Sequence, residues 1–167
     1  AVTRLLPLSI SELKEDANID TNTLMWKGFY PGVWGDGKDP GNVYDSYVST
    51  YLQRDVRQIL NIKDLSLFQK FLTIVASRVG NVFIASSIAS ELGVDYKTIQ
   101  SWMSILETSY TAFLLQPFHR NIGKRMTKTS KVYFYDVGLA CHLLGIENEQ
   151  HIKTHPLRGA IFANNFK

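Results

Sequence analysis

A mainly α-helical fold with one β-hairpin is what the sequence predicts, and three observations carry that expectation. Apolar residues recur at three- and four-residue steps over much of the chain, capping signals stand where those stretches begin, and only two short segments are rich in β-formers. With 167 residues, 45% of them hydrophobic, the chain is long enough to bury a real core in one or two small domains.

Residues 1–6 form a short apolar stretch that reads like the end of a strand. Ser9 and Glu12 have capping-box spacing and Leu8 and Leu13 stand as a hydrophobic staple, so a short helix is expected from Ile10, fading by Asn18. Between Gly28 and Asn42 lie five Gly and two Pro, a composition that predicts a loop. From Val43 to Leu60 the residues Tyr44, Tyr47, Val48, Tyr51, Leu52, Val56, Ile59 and Leu60 trace one helical face. After Asp64, a good N-cap, Phe68, Phe71, Leu72, Val75 and Val79 repeat the pattern until Gly80 stops it.

Val82 and Phe83 predict a very short strand, and Ser86 to Leu92 a brief helix closed by Gly93. Asp95 then caps a helix from Tyr96 to about Thr108, with Val94 and Ile99 as its staple. Ile99, Trp102, Ile105 and Leu106 share one side, which leaves Lys97, Gln100, Ser101 and Ser104 on the other. Two β-rich segments follow, Ala112 to Phe118 and Val132 to Tyr135, and read as a hairpin with a long connection. Three helices followed by such a hairpin make a winged helix. The expected division is a helical lid-like region over 1–62, a winged-helix domain over 63–136, and a short helical stub over 137–167 that begins a further domain.

The formal net charge of +3 is unevenly placed. The excess lies between His119 and Lys131, where Arg120, Lys124, Arg125, Lys128 and Lys131 occur with no acid, a local field suited to phosphate or another acidic partner. A solvated loop is the plain alternative. Apolar runs such as Leu72 to Ala76, with Thr73 inside, fall far short of the roughly 18 residues that span a bilayer, so no membrane partner is expected. Cys141 is the single cysteine, which leaves no intramolecular disulfide or cysteine metal cluster, and a reducing cytoplasm is the expected setting.

Motifs with chemistry are weak. Gly32 to Lys38 matches the first seven positions of a P-loop, but Asp39 stands where a Ser or Thr should reach magnesium, and Pro40 and Gly41 read as obstacles to the helix that must follow. Hydrolase patterns are absent, and the four histidines are scattered. Cys141 and His142 are neighbours pointing about 100 degrees apart on a helix, which reads as a core thiol beside a surface imidazole. Asp136 follows an apolar strand and reads as the cap of a helix from Val137 to Leu144. Arg54 is a candidate for reaching a neighbouring subunit's nucleotide in a homo-oligomer; a solvated face or an internal ion pair is its plain alternative.

Taken together, Arg4-Leu-Leu-Pro-Leu-Ser9, Tyr51-Leu-Gln-Arg-Asp-Val56, Lys124-Arg125 and Lys131-Val-Tyr-Phe-Tyr-Asp136 with Gly138-Leu139 resemble the prokaryotic AAA+-like ATPases whose C-terminal half is a domain of unknown function. The resemblance implies an upstream P-loop core that binds ATP and magnesium, followed by a helical lid, a winged helix and a nuclease-like domain. It implies that this chain lacks the core and is itself no enzyme. His155 to Phe162 looks like the opening of the nuclease-like part, but Ala163 stands where that family has Glu, so no nuclease residues carry over. The function expected is DNA binding, with Lys97, Gln100, Ser101 and Ser104 toward a groove and Arg120, Lys124, Arg125, Lys128 and Lys131 on phosphates. The alternative is a protein-interaction or spacer module docked on the ATPase core.

Overall fold

A computed structural model describes residues 7–13, 19–35, 37–51, 56, 65–117 and 129–165. The described residues are mainly helical, with one two-stranded antiparallel sheet.

Helix α1 (Ile10–Leu13) starts with the expected capping box: the Ser9 N–H donates to Glu12 Oε2 at 2.6 Å, and the Glu12 N–H donates to Ser9 Oγ at 3.3 Å. The Ser9 N–H, together with the Ser9 hydroxyl that donates to Glu12 Oε2 at 2.7 Å, holds the Glu12 carboxyl below its ordinary range. Helix α2 (Thr21–Lys27) is capped by Asp20, which accepts from the Asn22 N–H at 3.0 Å.

The expectation of an unbroken loop from Gly28 to Asn42 needs correcting. Helix α3 (Pro31–Gly35) lies inside it, and helix α4 (Pro40–Tyr51) begins three residues earlier than the periodicity suggests. Both start at proline, whose fixed φ suits a first helical position and whose missing N–H is one that a helix start leaves unpaired. Asp39 completes the second start by accepting from the Asn42 N–H at 3.1 Å. The rest of the expected helix to Leu60 lies outside the described residues, apart from Val56, which is buried.

Helix α5 (Leu65–Ser77) buries Phe68, Phe71, Leu72, Val75 and Ala76. The chain turns at Gly80, at φ +73°, and residues 81–83 run beside β2. Only one bridge forms there, Val82 to Lys131, in place of a strand. Helices α6 (Ala85–Leu92) and α7 (Tyr96–Thr108) follow, separated by Gly93 in the left-handed region at φ 67°. Strands β1 (Ala112–Leu115) and β2 (Lys131–Phe134) pair from Ala112↔Phe134 to Leu115↔Lys131. Beyond them come α8 (Val137–Leu143), α9 (Glu149–Thr154) and α10 (Arg158–Asn165).

The core runs through all three stretches distinguished in the sequence. Helix α8 packs on α2, α4, α5 and α10, while α7 packs on α6 and β1. Asn164 ties α10 to the sheet: its Oδ1 accepts from the Phe134 N–H at 2.8 Å and its Nδ2 donates to the Phe134 carbonyl at 3.2 Å. No helix among the described residues is long and apolar enough to cross a membrane.

Candidate functional site

The candidate surface is built on α7, and its position depends on what lies behind it. Ile99, Trp102, Met103, Ile105 and Leu106 are buried, and the Trp102 ring lies 5.3 Å from both Phe68 and Phe71 of α5. Rings at that spacing combine large apolar burial with favourable edge contacts. The Asp95 carboxylate caps the helix from the Lys97 N–H at 3.4 Å, and the Val94 N–H closes the preceding turn on the Ala89 carbonyl at 3.0 Å. Arg78 links the end of α5 to α6 through Glu91 at 2.8 Å and Ser87 at 3.3 Å.

Lys97, Gln100, Ser101 and Ser104 are exposed on the opposite face of α7, so these four predicted residues share one accessible stripe. Gln100 is already oriented, its Nε2 donating to the Tyr96 hydroxyl at 2.9 Å. Lys131 is exposed and pairs across the sheet with Leu115. The other predicted wing cations, Arg120, Lys124, Arg125 and Lys128, lie outside the described residues, as does Arg54. Apolar side chains share this end of the molecule. Val82, Ile84 and Leu115 are exposed, and Val82 and Leu115 flank Lys131 on either side.

Of the P-loop-like segment, Gly32 to Gly35 belong to helix α3. Pro40 is no obstacle to a helix, since α4 begins at it. Asp39 is occupied as that helix's cap. Cys141 and His142 diverge as expected: the buried thiol donates to the Met25 carbonyl at 3.3 Å, whereas His142 Nε2 lies 3.2 Å from Asp45 Oδ1. Among the described residues no three His, Cys, Asp or Glu converge for a metal. A cavity of 330 Å³ beside α4 is bounded by Trp26, Pro40, Tyr44, Asp45, His142 and Ile146, with its histidine and Asp45 already facing each other.

Sequence reasoning missed one polar centre. Asp136 caps α8 from the Leu139 N–H at 2.9 Å, as expected, but it also accepts from the Phe29 N–H at 2.9 Å and lies 2.8 Å from the Tyr44 hydroxyl. The Tyr44 hydroxyl in turn lies 2.9 Å from the Lys27 carbonyl. Gly28 and Gly138 let the backbones meet there: a Cβ on Gly28 would stand 2.7 Å from Gly138 Cα and would collide with Tyr44 and Asp136. Burial pushes the Asp136 carboxyl up, against bonds from Leu139, Tyr44 and Phe29 that pull it down. The signal available in the sequence was two glycines and a capping aspartate; that they meet Tyr44 was not readable.

A family model described as a domain of unknown function, DUF8612, matches residues 18–150. Uncharacterised proteins of Mycobacterium bovis and Mycobacterium tuberculosis are each 30% identical to the chain over 116 residues. That match covers 70% of this chain and 26% of each relative, so the chain spans about a quarter of the length of the curated relatives it matches. No solved structure matches it.

Proposed function

From the premise that this chain belongs to the family of the domain of unknown function DUF8612, we propose that it is a non-catalytic binding module that contacts duplex DNA. The reading treats α5, α6, α7 and the hairpin as a winged helix. Lys97, Gln100, Ser101 and Ser104 would face a groove, and Arg120, Lys124, Arg125, Lys128 and Lys131 would meet phosphates. The observation that carries it is the exposed polar stripe of α7 set on a back face locked between Phe68 and Phe71. A helix held that way presents its side chains without paying again to order its backbone.

The parent protein in this proposal is an AAA+-like ATPase, on the residues of the resemblance given above. Its P-loop core would supply ATP and magnesium binding, and its movement would be relayed through the helices to this unit. Three quarters of each mycobacterial relative lies outside the matched stretch, which leaves room for such a core.

Duplex binding measured at several salt concentrations tests the DNA reading. Each phosphate contact releases counterions, so Lys124→Ala with Arg125→Ala should flatten the slope of log affinity against log salt by up to about 2 and weaken unrelated duplexes alike. Gln100→Ala should change sequence preference instead. A double variant with an unchanged thermal midpoint that binds as the parent does would overturn the assignment of the wing.

A protein-docking module is the second reading, and the exposed Val82, Ile84 and Leu115 favour it. Lys97 is also the single Lys or Arg within α7. An apolar contact with the ATPase core or an acidic partner would keep its affinity as salt rises, whereas DNA binding would lose it steeply.

A further inference from the structure

Helix α10 begins on an acceptor that works in only one protonation state. Pro156 brings no N–H to the turn after His155, so the first N–H there is that of Leu157, and it donates to His155 Nδ1 at 3.2 Å. The Arg158 N–H then closes on the His155 carbonyl at 3.0 Å, and the Ile161 N–H on the Leu157 carbonyl at 2.9 Å. His155 therefore stands before α10 as Asp20 and Asn148 stand before α2 and α9, each accepting an N–H two or three residues on. The Asn148 amide accepts at any pH. An imidazole nitrogen accepts only while it carries no proton.

We propose that His155 is a proton-sensitive N-cap: the neutral ring holds the start of α10, and protonation in the mildly acidic range releases it. The neutral ring is the tautomer with its hydrogen on Nε2. A proton on Nδ1 sets two N–H groups against each other, at the helix end that already carries the positive end of the dipole. The joint matters because α10 is fastened at both ends. Near its start Arg158 donates to Asn22 Oδ1 of α2 at 3.1 Å, and near its end Asn164 bonds both the N–H and the carbonyl of Phe134. Release of the first turn loosens the tie to α2 and leaves the one to the sheet.

The charges around the ring act in the same sense. From α9, the His151 ring stands 5.9 Å away and edge-on, and Lys153 lies on the same helix. From α10 comes the Arg158 guanidinium, directed to Asn22. The nearby carboxylates are engaged elsewhere: Asp20 caps α2 and feels Lys153, and Glu149 meets the Thr23 hydroxyl. Among the described residues no carboxylate pairs with His155. Burial, and then His151, hold its imidazole below the ordinary value. The C-terminal end of α9 favours a cation here, and the Leu157 N–H at Nδ1 opposes it.

Folding favours the neutral ring, so this contribution to stability is complete above the ordinary histidine pKa of about 6.5 and is lost as pH falls through the folded-state value.

Nitrogen-15 NMR of the His155 ring, followed through a pH titration of the folded protein and of the urea-unfolded chain, tests this directly. The folded transition is expected at lower pH than the unfolded one, with the neutral ring in its Nε2–H form. A coincident or higher transition, or the Nδ1–H form, overturns the proposal. Amide exchange, corrected for its own pH dependence, then reads the cap. Protection of Leu157 relative to Asn22 should fall as His155 takes up its proton, and a constant ratio would show that the ring holds nothing. His155→Asn puts an acceptor that does not titrate in the same place, so its Leu157 protection should stay level across the same range. A fall like the parent's would assign the effect to another group and sink the proposal.

Discussion

Helices α7 and α8 both open on an aspartate, Asp95 and Asp136, and both aspartates accept a main-chain N–H of the helix they start. Asp95 is exposed, bonds at 3.4 Å, and caps a helix already held by five buried apolar side chains. Asp136 is buried and bonds Phe29 and Leu139 at 2.9 Å each, on a helix of seven residues whose Gly138 packs closely against Gly28 of the turn after α2. One local signal therefore serves two purposes. Where the apolar face supplies the positioning, the cap is an increment that leaves the outer face free for partners. Where small residues bring backbones into contact, the cap becomes the joint between elements far apart in sequence.

The largest expected effect tests the second half of that contrast. Asp136→Ala leaves two buried N–H groups and a hydroxyl without their acceptor, at about 1 to 3 kcal/mol each, so denaturant unfolding should show a loss of about 5 kcal/mol. A loss below about 2 kcal/mol would mean that the site relaxes to admit water and is no joint. Trp102→Ala tests the first half. Deleting a large aromatic wedged between Phe68 and Phe71 should cost about 3 to 5 kcal/mol by the same measurement, and a change under about 1 kcal/mol would show that α7 is not anchored through that face. The smallest effect is the sharpest comparison with the first: Asp95→Ala removes the same residue type from the same helix position and should cost only about 1 kcal/mol, with far-ultraviolet circular dichroism unchanged. Equal losses at Asp95 and Asp136 would erase the distinction.

Much of the helical framework was legible because its signals are local. The Ser9 and Glu12 box, Gly93 closing α6, Asp95 starting α7 and the apolar stripe through Trp102 all act within one or two helical turns, and each stands where expected. The helices between Gly28 and Asn42 were not legible, because a composition of five Gly and two Pro favours turns while the position of each proline favours a helix start. Pro31 and Pro40 occupy first helical turns, where proline initiates. The exposed stripe of Lys97, Gln100, Ser101 and Ser104 was also readable, since a helix with one apolar side must turn its other side outward.

The sequence by itself determined where α1, α6, α7 and α8 begin, which faces of α5 and α7 are apolar, and that a hairpin follows α7, because capping and periodicity are short-range properties of the chain. Tertiary structure alone decided that Tyr44 meets Asp136 across 92 positions and that Gly28 meets Gly138. Those pairings depend on how α2, α4 and α8 pack, and no local preference encodes the distance between them. Whether a capping aspartate sits in water or in the core belongs to the same level, because burial is a property of the assembled site.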